Sequence, residues 1–210
     1  MPLDYIQVAL KDLINEIGEE ETKIILSDFS CKKEGMETSL NCDVEDFLHN
    51  KAKIFEECDF ARTHTLFVRG DKGKLILVGY YSIAQKQFEF KKGVSIKKRK
   101  EIAGHHFFKD GPLPAILIGQ LGKNYSETAL NGVLISGREI LHYALLNIKE
   151  VYKTSPFRLI YIECKDHPSL RTFYEKHGFT LHADTHNVPF VNQTGLIMYF
   201  APVAILSSLS

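Results

Sequence analysis

The run RTFYEKHGF, residues 171–179, sets one phenol, Tyr174, among charged neighbours just before a glycine. A phenol of pKa about 10 keeps its proton at neutral pH, so at the end of a short helix Tyr174 is either a proton donor or a core aromatic packed beside Phe173. Upstream, Glu163, Cys164 and Asp166 offer two carboxylates around a thiol. The sequence places no histidine beside Cys164, which reads as an inert buried thiol rather than a catalytic nucleophile. Glu163, Asp166 or a water chain could serve as a general base, and spacing does not choose among them.

The second chemical feature is ISGREIL, residues 135–141. Ser136 and Glu139 have the spacing of a capping box, so a helix starts there. Its first turn offers unpaired N–H groups and a partial positive charge, Gly137 leaves room for a ligand, and Arg138 adds a guanidinium. A phosphate group fits such an end. Most helix starts meet only water, however, and Arg138 reads equally as an exposed helix residue. Cys31, Cys42, His49 and Cys58 can be assembled into a zinc site on paper, but their irregular spacing matches no ligand pattern and no metal is expected. His105 and His106 are adjacent, so on regular structure they point apart.

These groups need elements to hold them. Ile6, Leu10, Leu13, Ile14 and Ile17 recur at helical spacing and Gly18 follows, which predicts an opening amphipathic helix over residues 1–20. Residues 22–29 read as a short strand. Residues 43–58 return to helix, with Val44, Phe47, Leu48, Ala52 and Phe55 on the apolar side and Asp43 placed to cap it. Residues 62–85 form two strands about the turn GDKGK. The apolar run AILIGQLG, 115–122, predicts a central strand covered on both faces, and its glycines suggest that something approaches the backbone. A polar loop over 123–134 then leads into a helix carrying Ile140, Leu141, Ala144, Leu145, Ile148 and Val151 on one face. FRLIYIEC is a strand, residues 166–179 a short helix with Pro168 in its first turn and Gly178 at its stop, and GLIMYFAP a last strand. The second half is therefore an α/β unit.

The strand, the capped helix and the ending Phe173-Tyr174-Glu175-Lys176-His177-Gly178-Phe179 together resemble the GNAT superfamily of acyl-CoA-dependent N-acyltransferases, over roughly Phe29 to Pro202. The resemblance implies an α/β fold: a mixed, mostly antiparallel central sheet, splayed at the cofactor site, with helices on both faces and the N-terminal helix added. It implies an acyltransferase domain over 21–210, with acetyl-CoA as cofactor and a small-molecule or peptidic amine as acceptor. The pantetheine arm would pair like an extra strand near Leu121, Gly122 and Lys123. The pyrophosphate would meet Ile135, Ser136, Gly137 and Arg138, and Phe173 would stand with the cofactor-binding residues, packing rather than reacting. Tyr174 would stand beside the cofactor sulfur and give its proton to the departing thiolate, while a main-chain N–H of the central strand polarises the thioester carbonyl. One motif departs from the family: aligning the last glycine of the pyrophosphate loop with Gly137 leaves Gly132 first and Ile135 fourth.

Two further readings stand beside this one. The stretches FSCKKEGMETSLNCDVEDFLHNKA and ARTHTLFV are similar to a GNAT branch of acetylating toxins that modify aminoacyl-tRNA, and the lysine-rich span Lys91 to Lys100 suits phosphates. The departing pyrophosphate loop suits instead an acyl-CoA sensor without turnover. With 26 basic and 26 acidic residues the chain has no global field to draw it to nucleic acid or anionic lipid, and the bland reading of Lys91 to Lys100 is a solvated helix or loop. The apolar runs fall short of a membrane span and the N-terminus has no signal pattern, so a cytoplasmic protein with reduced thiols is expected; the N-terminal helix either packs on the domain or joins two subunits in a homodimer, as GNAT-like domains often pair.

Overall fold

Runs rich in aliphatic and aromatic residues build the central hairpin, β2 (Arg62–Arg69) and β3 (Leu75–Phe88), paired antiparallel from Arg62↔Ile83 to Arg69↔Leu75. Gly70 closes it, its N–H donating to the Lys74 carbonyl at 2.8 Å, and Gly73 takes a φ of 79° that disfavours any side chain. The computed structural model describes residues 5–32, 43–70, 73–91, 93–103, 111–130 and 135–209. The hairpin sits in a seven-stranded sheet, which also holds β1 (Ile6–Ala9), β4 (Leu113–Lys123), β5 (Leu159–Cys164), β6 (Thr180–Leu181) and β7 (Ile197–Pro202), in the order β1-β2-β3-β4-β5-β7-β6. β4 and β5 run parallel; β1 with β2, β2 with β3, β5 with β7 and β6 with β7 run antiparallel.

By internal contacts the chain divides into two units, residues 1–83 with 120–144 and residues 84–119 with 145–210. In the first unit the expected opening helix is shorter than its apolar period suggested. Ile6 and Val8 are extended, opposite Phe67 and Thr65, and the Thr65 hydroxyl donates to the Val8 carbonyl at 2.9 Å. Ladder pairing of these β-branched residues overrides the helical spacing, and helix α1 begins at Leu10 (Leu10–Ile17). The strand expected over residues 22–29 is instead α2 (Glu19–Ser27): three glutamates in its first turn suit the helix dipole, and Thr22 and Leu26, one helical turn apart, are its buried residues. A π turn (Phe47–Lys51) and α3 (Ala52–Glu57) fill the expected third helical stretch. Leu10, Leu13, Leu26, Phe29, Phe47, Leu48, Phe67, Leu77 and Tyr80 make one core.

The second unit has its own core, from Phe88, Leu113, Ala115, Leu159, Tyr161, Met198 and Phe200. The lysine-rich span contains α4 (Ile96–Ala103), with Lys97 and Lys100 exposed. Lys92, Cys42, His105 and His106 lie outside the described residues, as does the Lys98 side chain. The expected polar loop contains one helical turn, α5 (Glu127–Leu130), where the Ser126 hydroxyl accepts from the Ala129 N–H at 3.2 Å.

Helix α6 (Gly137–Thr154) starts at the expected capping box. The Ser136 N–H donates to Glu139 Oε2 at 2.7 Å and the Glu139 N–H to Ser136 Oγ at 3.2 Å, while Ile140, Leu141, Ala144, Leu145 and Ile148 are buried. Ser136→Ala should lower the unfolding free energy in urea by about 1 kcal/mol. Among the described residues no helix is long and apolar enough to cross a membrane, and no three His, Cys, Asp or Glu side chains form a group able to hold a metal ion.

Candidate active site

Leu121, Gly122 and Lys123 close β4. Among the described residues its parallel register with β5 runs from Ala115↔Leu159 to Ile118↔Ile162, so the backbone of residues 119–123 lies beyond that ladder. Asn124 fixes this end of the strand. Its main-chain N–H donates to the Val78 carbonyl at 2.9 Å and its side-chain amide to the Leu77 carbonyl at 2.8 Å. Its Oδ1 accepts from the N–H groups of Ser30 at 3.0 Å and Ser126 at 2.9 Å. A buried asparagine that satisfies main chain on both sides is a stiff clamp. No pattern in the sequence marked Asn124, because all its partners but Ser126 are distant in the chain.

Gly122 has a packing reason for lacking a side chain. A Cβ there would meet Tyr80 Cε1 at 2.6 Å, Val44 Cγ1 at 2.8 Å and Phe29 Cζ at 2.9 Å. The Tyr80 ring is fully buried and its hydroxyl donates to the Val44 carbonyl, so it has little room to yield. Gly122→Ala should cost about 1–3 kcal/mol of stability in urea unfolding. Lys123 is half-buried with its ammonium 4.9 Å from the Tyr125 ring centroid; burial lowers its pKa, against the pull of Glu139.

At the start of α6, Ile135 is buried, Ser136 and Arg138 are exposed and Gly137 is half-buried. Besides taking the Ser136 N–H, Glu139 accepts from the Tyr5 hydroxyl at 3.4 Å. Burial disfavours its charge, but the bonds from Ser136 and Tyr5 and the nearby Lys123 outweigh that and hold its carboxyl below the usual range. Tyr5 is pushed up to about 12 by burial and by Glu139. The spacing of Ser136 and Glu139 foretold the cap. That Tyr5 and Lys123 also act on the Glu139 carboxylate came only from the fold.

In the second unit, α7 (Pro168–Lys176) carries Phe173 and Tyr174. His167 caps it, accepting from the Ser169 N–H at 3.3 Å, Pro168 fits its first turn, and Gly178 stops it at a φ of 83°. Arg171 binds Asp166 through both arms, at 2.6 and 2.7 Å, which holds the Asp166 carboxyl below its usual range and makes it a poor base. Tyr174 is buried, its ring 5.1 Å from Phe173, 5.7 Å from Tyr199 and 6.1 Å from Phe179. Burial, then the neighbouring Cys164, raises its pKa well above the ordinary phenol value, so it is neutral at physiological pH. Burial pushes the Cys164 thiol up to about 12, which leaves too little thiolate for covalent catalysis. The Tyr199 hydroxyl donates to Glu175 at 3.2 Å, tying α7 to β7, a contact that no sequence spacing indicated.

No family model and no curated protein matches the chain. Solved structures do. A bacterial toxin superposes with a TM-score of 0.64 at 16% identity, over 99% of this chain and 96% of that one. A Tyr-to-Phe mutant of KacT gives 0.63 at 17%, over 98% and 99%. AtaT complexed with acetyl-methionyl-tRNAfMet gives 0.62 at 16%, over 97% and 98%. The chain has the GNAT fold. At such coverage the GNAT likeness reaches beyond Phe29–Pro202 and takes in the N-terminal segment.

Proposed function

We propose that this chain is an N-acetyltransferase that moves an acetyl group from acetyl-CoA to an amine, with Tyr174 as general acid. The observation that carries the reading is Tyr174 itself: a buried, protonated phenol near the end of the last helix of a GNAT fold. Support comes from neighbours of the same fold. The AtaT Tyr-to-Phe mutant is bound to acetyl-CoA at a TM-score of 0.61, and the AtaTR complex with acetyl-CoA matches at 0.59. Tyrosine is also the residue replaced in the KacT and AtaT mutants.

Bound acetyl-CoA supplies a thioester, an acyl group already activated for attack by an amine. Leu121, Gly122 and Lys123 would offer main-chain partners to its extended arm, and the Gly137 and Arg138 N–H groups with the Arg138 guanidinium would hold its pyrophosphate. Ile135 contributes main chain only, since its side chain is buried. Ser136 acts indirectly, its N–H and hydroxyl being committed to Glu139. Tyr174 holds a proton at its hydroxyl and releases it as the thiol leaves. A desolvated phenol is a weaker acid than a phenol in water, and the same desolvation raises the basicity of any thiolate formed beside it, so burial shifts both partners of the transfer in the same direction.

For the acceptor, we infer the α-amine of an aminoacyl-tRNA. AtaT bound to acetyl-methionyl-tRNAfMet favours that substrate, and exposed Lys97 and Lys100 on α4 suit phosphates. Labelled acetyl-CoA offered with free amino acids, peptides and charged tRNAs should label the aminoacyl amine. Label on peptides or small amines alone would overturn the tRNA acceptor. Acetyl-CoA binding without transfer above the Tyr174→Phe background would overturn the enzyme and leave a sensor, and absence of binding would remove both.

A further inference from the structure

In the first unit, α1, α2, the π turn and α3 line a groove of about 320 Å³, at the small end of the range for small-molecule sites. Its floor is apolar: Leu10, Leu26 and Leu48 are buried. None of the residues assigned to acetyl transfer lines it, so nothing about the groove depends on that reading.

The groove also carries an unsatisfied polar atom. His49 lines it, and the His49 Nε2 is buried with no hydrogen-bond partner among the described residues. A buried ring nitrogen without a partner has lost its hydration and gained nothing in return, so folded proteins keep few of them. The π turn brings it there: the Ala52 N–H bonds to the Phe47 carbonyl, five residues back, and the extra residue in the turn lies where His49 sits. Such turns concentrate at functional sites.

Charge at the mouth is uneven. Lys53 is paired with Glu19 and with Glu57, whereas Lys23, also on the lining, has no ion pair among the described residues. Ile24 and Ile54 are 67% and 54% exposed on the same helices, more apolar surface than a solvated helix face needs. An apolar floor, an unpaired ammonium and an unpaired imidazole nitrogen are together the complement of a small molecule with a hydrocarbon body and a single negative oxyacid.

We propose that this groove binds a small amphiphilic carboxylic acid, an acyl or aryl carboxylate. Its apolar body lies on Leu10, Leu26 and Leu48, and its carboxylate accepts from the His49 Nε2–H and pairs with Lys23. In the tautomer with the proton on Nε2, the imidazole is the donor that the carboxylate needs.

Octanoate is the probe, titrated into the full chain while the His49 ring resonances are followed by NMR. Saturable binding that shifts the His49 signals is expected. Lys23→Glu should weaken it roughly tenfold, and His49→Phe by a similar factor, as the loss of a charge-assisted contact predicts. Octylamine, of similar length and opposite charge, should not compete. The proposal fails if octanoate does not saturate at millimolar concentration, if octylamine competes equally, or if Lys23→Glu binds octanoate as the wild type does. Lys23 is exposed, so that variant remains informative should His49→Phe not fold.

Discussion

Tyr174→Phe should lower kcat for acetyl transfer by about 10²–10⁴-fold while the KM for acetyl-CoA stays within about twofold, the range expected when a positioned proton donor is removed. The substitution deletes one oxygen and keeps the ring, so the contacts with Phe173, Phe179 and Tyr199 survive and urea stability should change little. The pH dependence adds a check. Activity requires the protonated phenol, and burial raises its pKa, so any alkaline limb due to Tyr174 lies above the ordinary phenol value of about 10. Steady-state kinetics at pH 7 to 10 would expose a packing role through an unchanged kcat in the variant, or through a loss of stability that accounts for the whole effect.

Acidification should destabilise the protein through His64 on β2. Its ring stacks on Tyr81, with centroids 5.1 Å apart and planes 18° from parallel. Burial lowers its pKa from 6.5 to about 4, with Asp12 pulling weakly the other way. The folded state therefore keeps His64 neutral between those values, while the unfolded chain takes up a proton. Stability is complete above pH 6.5 and drains away as pH falls towards 4, by about 3 kcal/mol in total. Urea midpoints measured from pH 7 to 4.5 should fall more steeply for the wild type than for His64→Gln. Parallel slopes would assign the acid sensitivity to other groups.

How much of this could be read from the chain depends on how local each cause is. The α6 start was legible because Ser136 and Glu139 satisfy each other across three residues, and the α7 stop because Gly178 alone accepts its positive φ. The apolar run of β4 was legible because burial on both faces leaves few polar residues. The two errors lie where the local signal is divided. Ile6 fits both helical spacing with Leu10 and strand alternation with Val8, and pairing with Phe67 and Thr65 decides between them. KIIL at residues 23–26 is too short to tell helix from strand, and the acidic first turn of α2 with the α1–α2 packing settles it.

The candidate site divides in the same way. Sequence alone offered the candidate groups, through the likeness of residues 173–179 to the GNAT ending and the capping-box spacing of Ser136 and Glu139. Only the tertiary structure decided how far the proton affinities of those groups depart from their ordinary values. Burial raises the proton affinity of Tyr174 and Cys164, bonds from Ser136 and Tyr5 with the nearby Lys123 lower that of Glu139, and Arg171 lowers that of Asp166. Proton affinity follows the solvent and the charges within a few ångströms of an atom, and most of those neighbours are gathered from distant parts of the chain by folding.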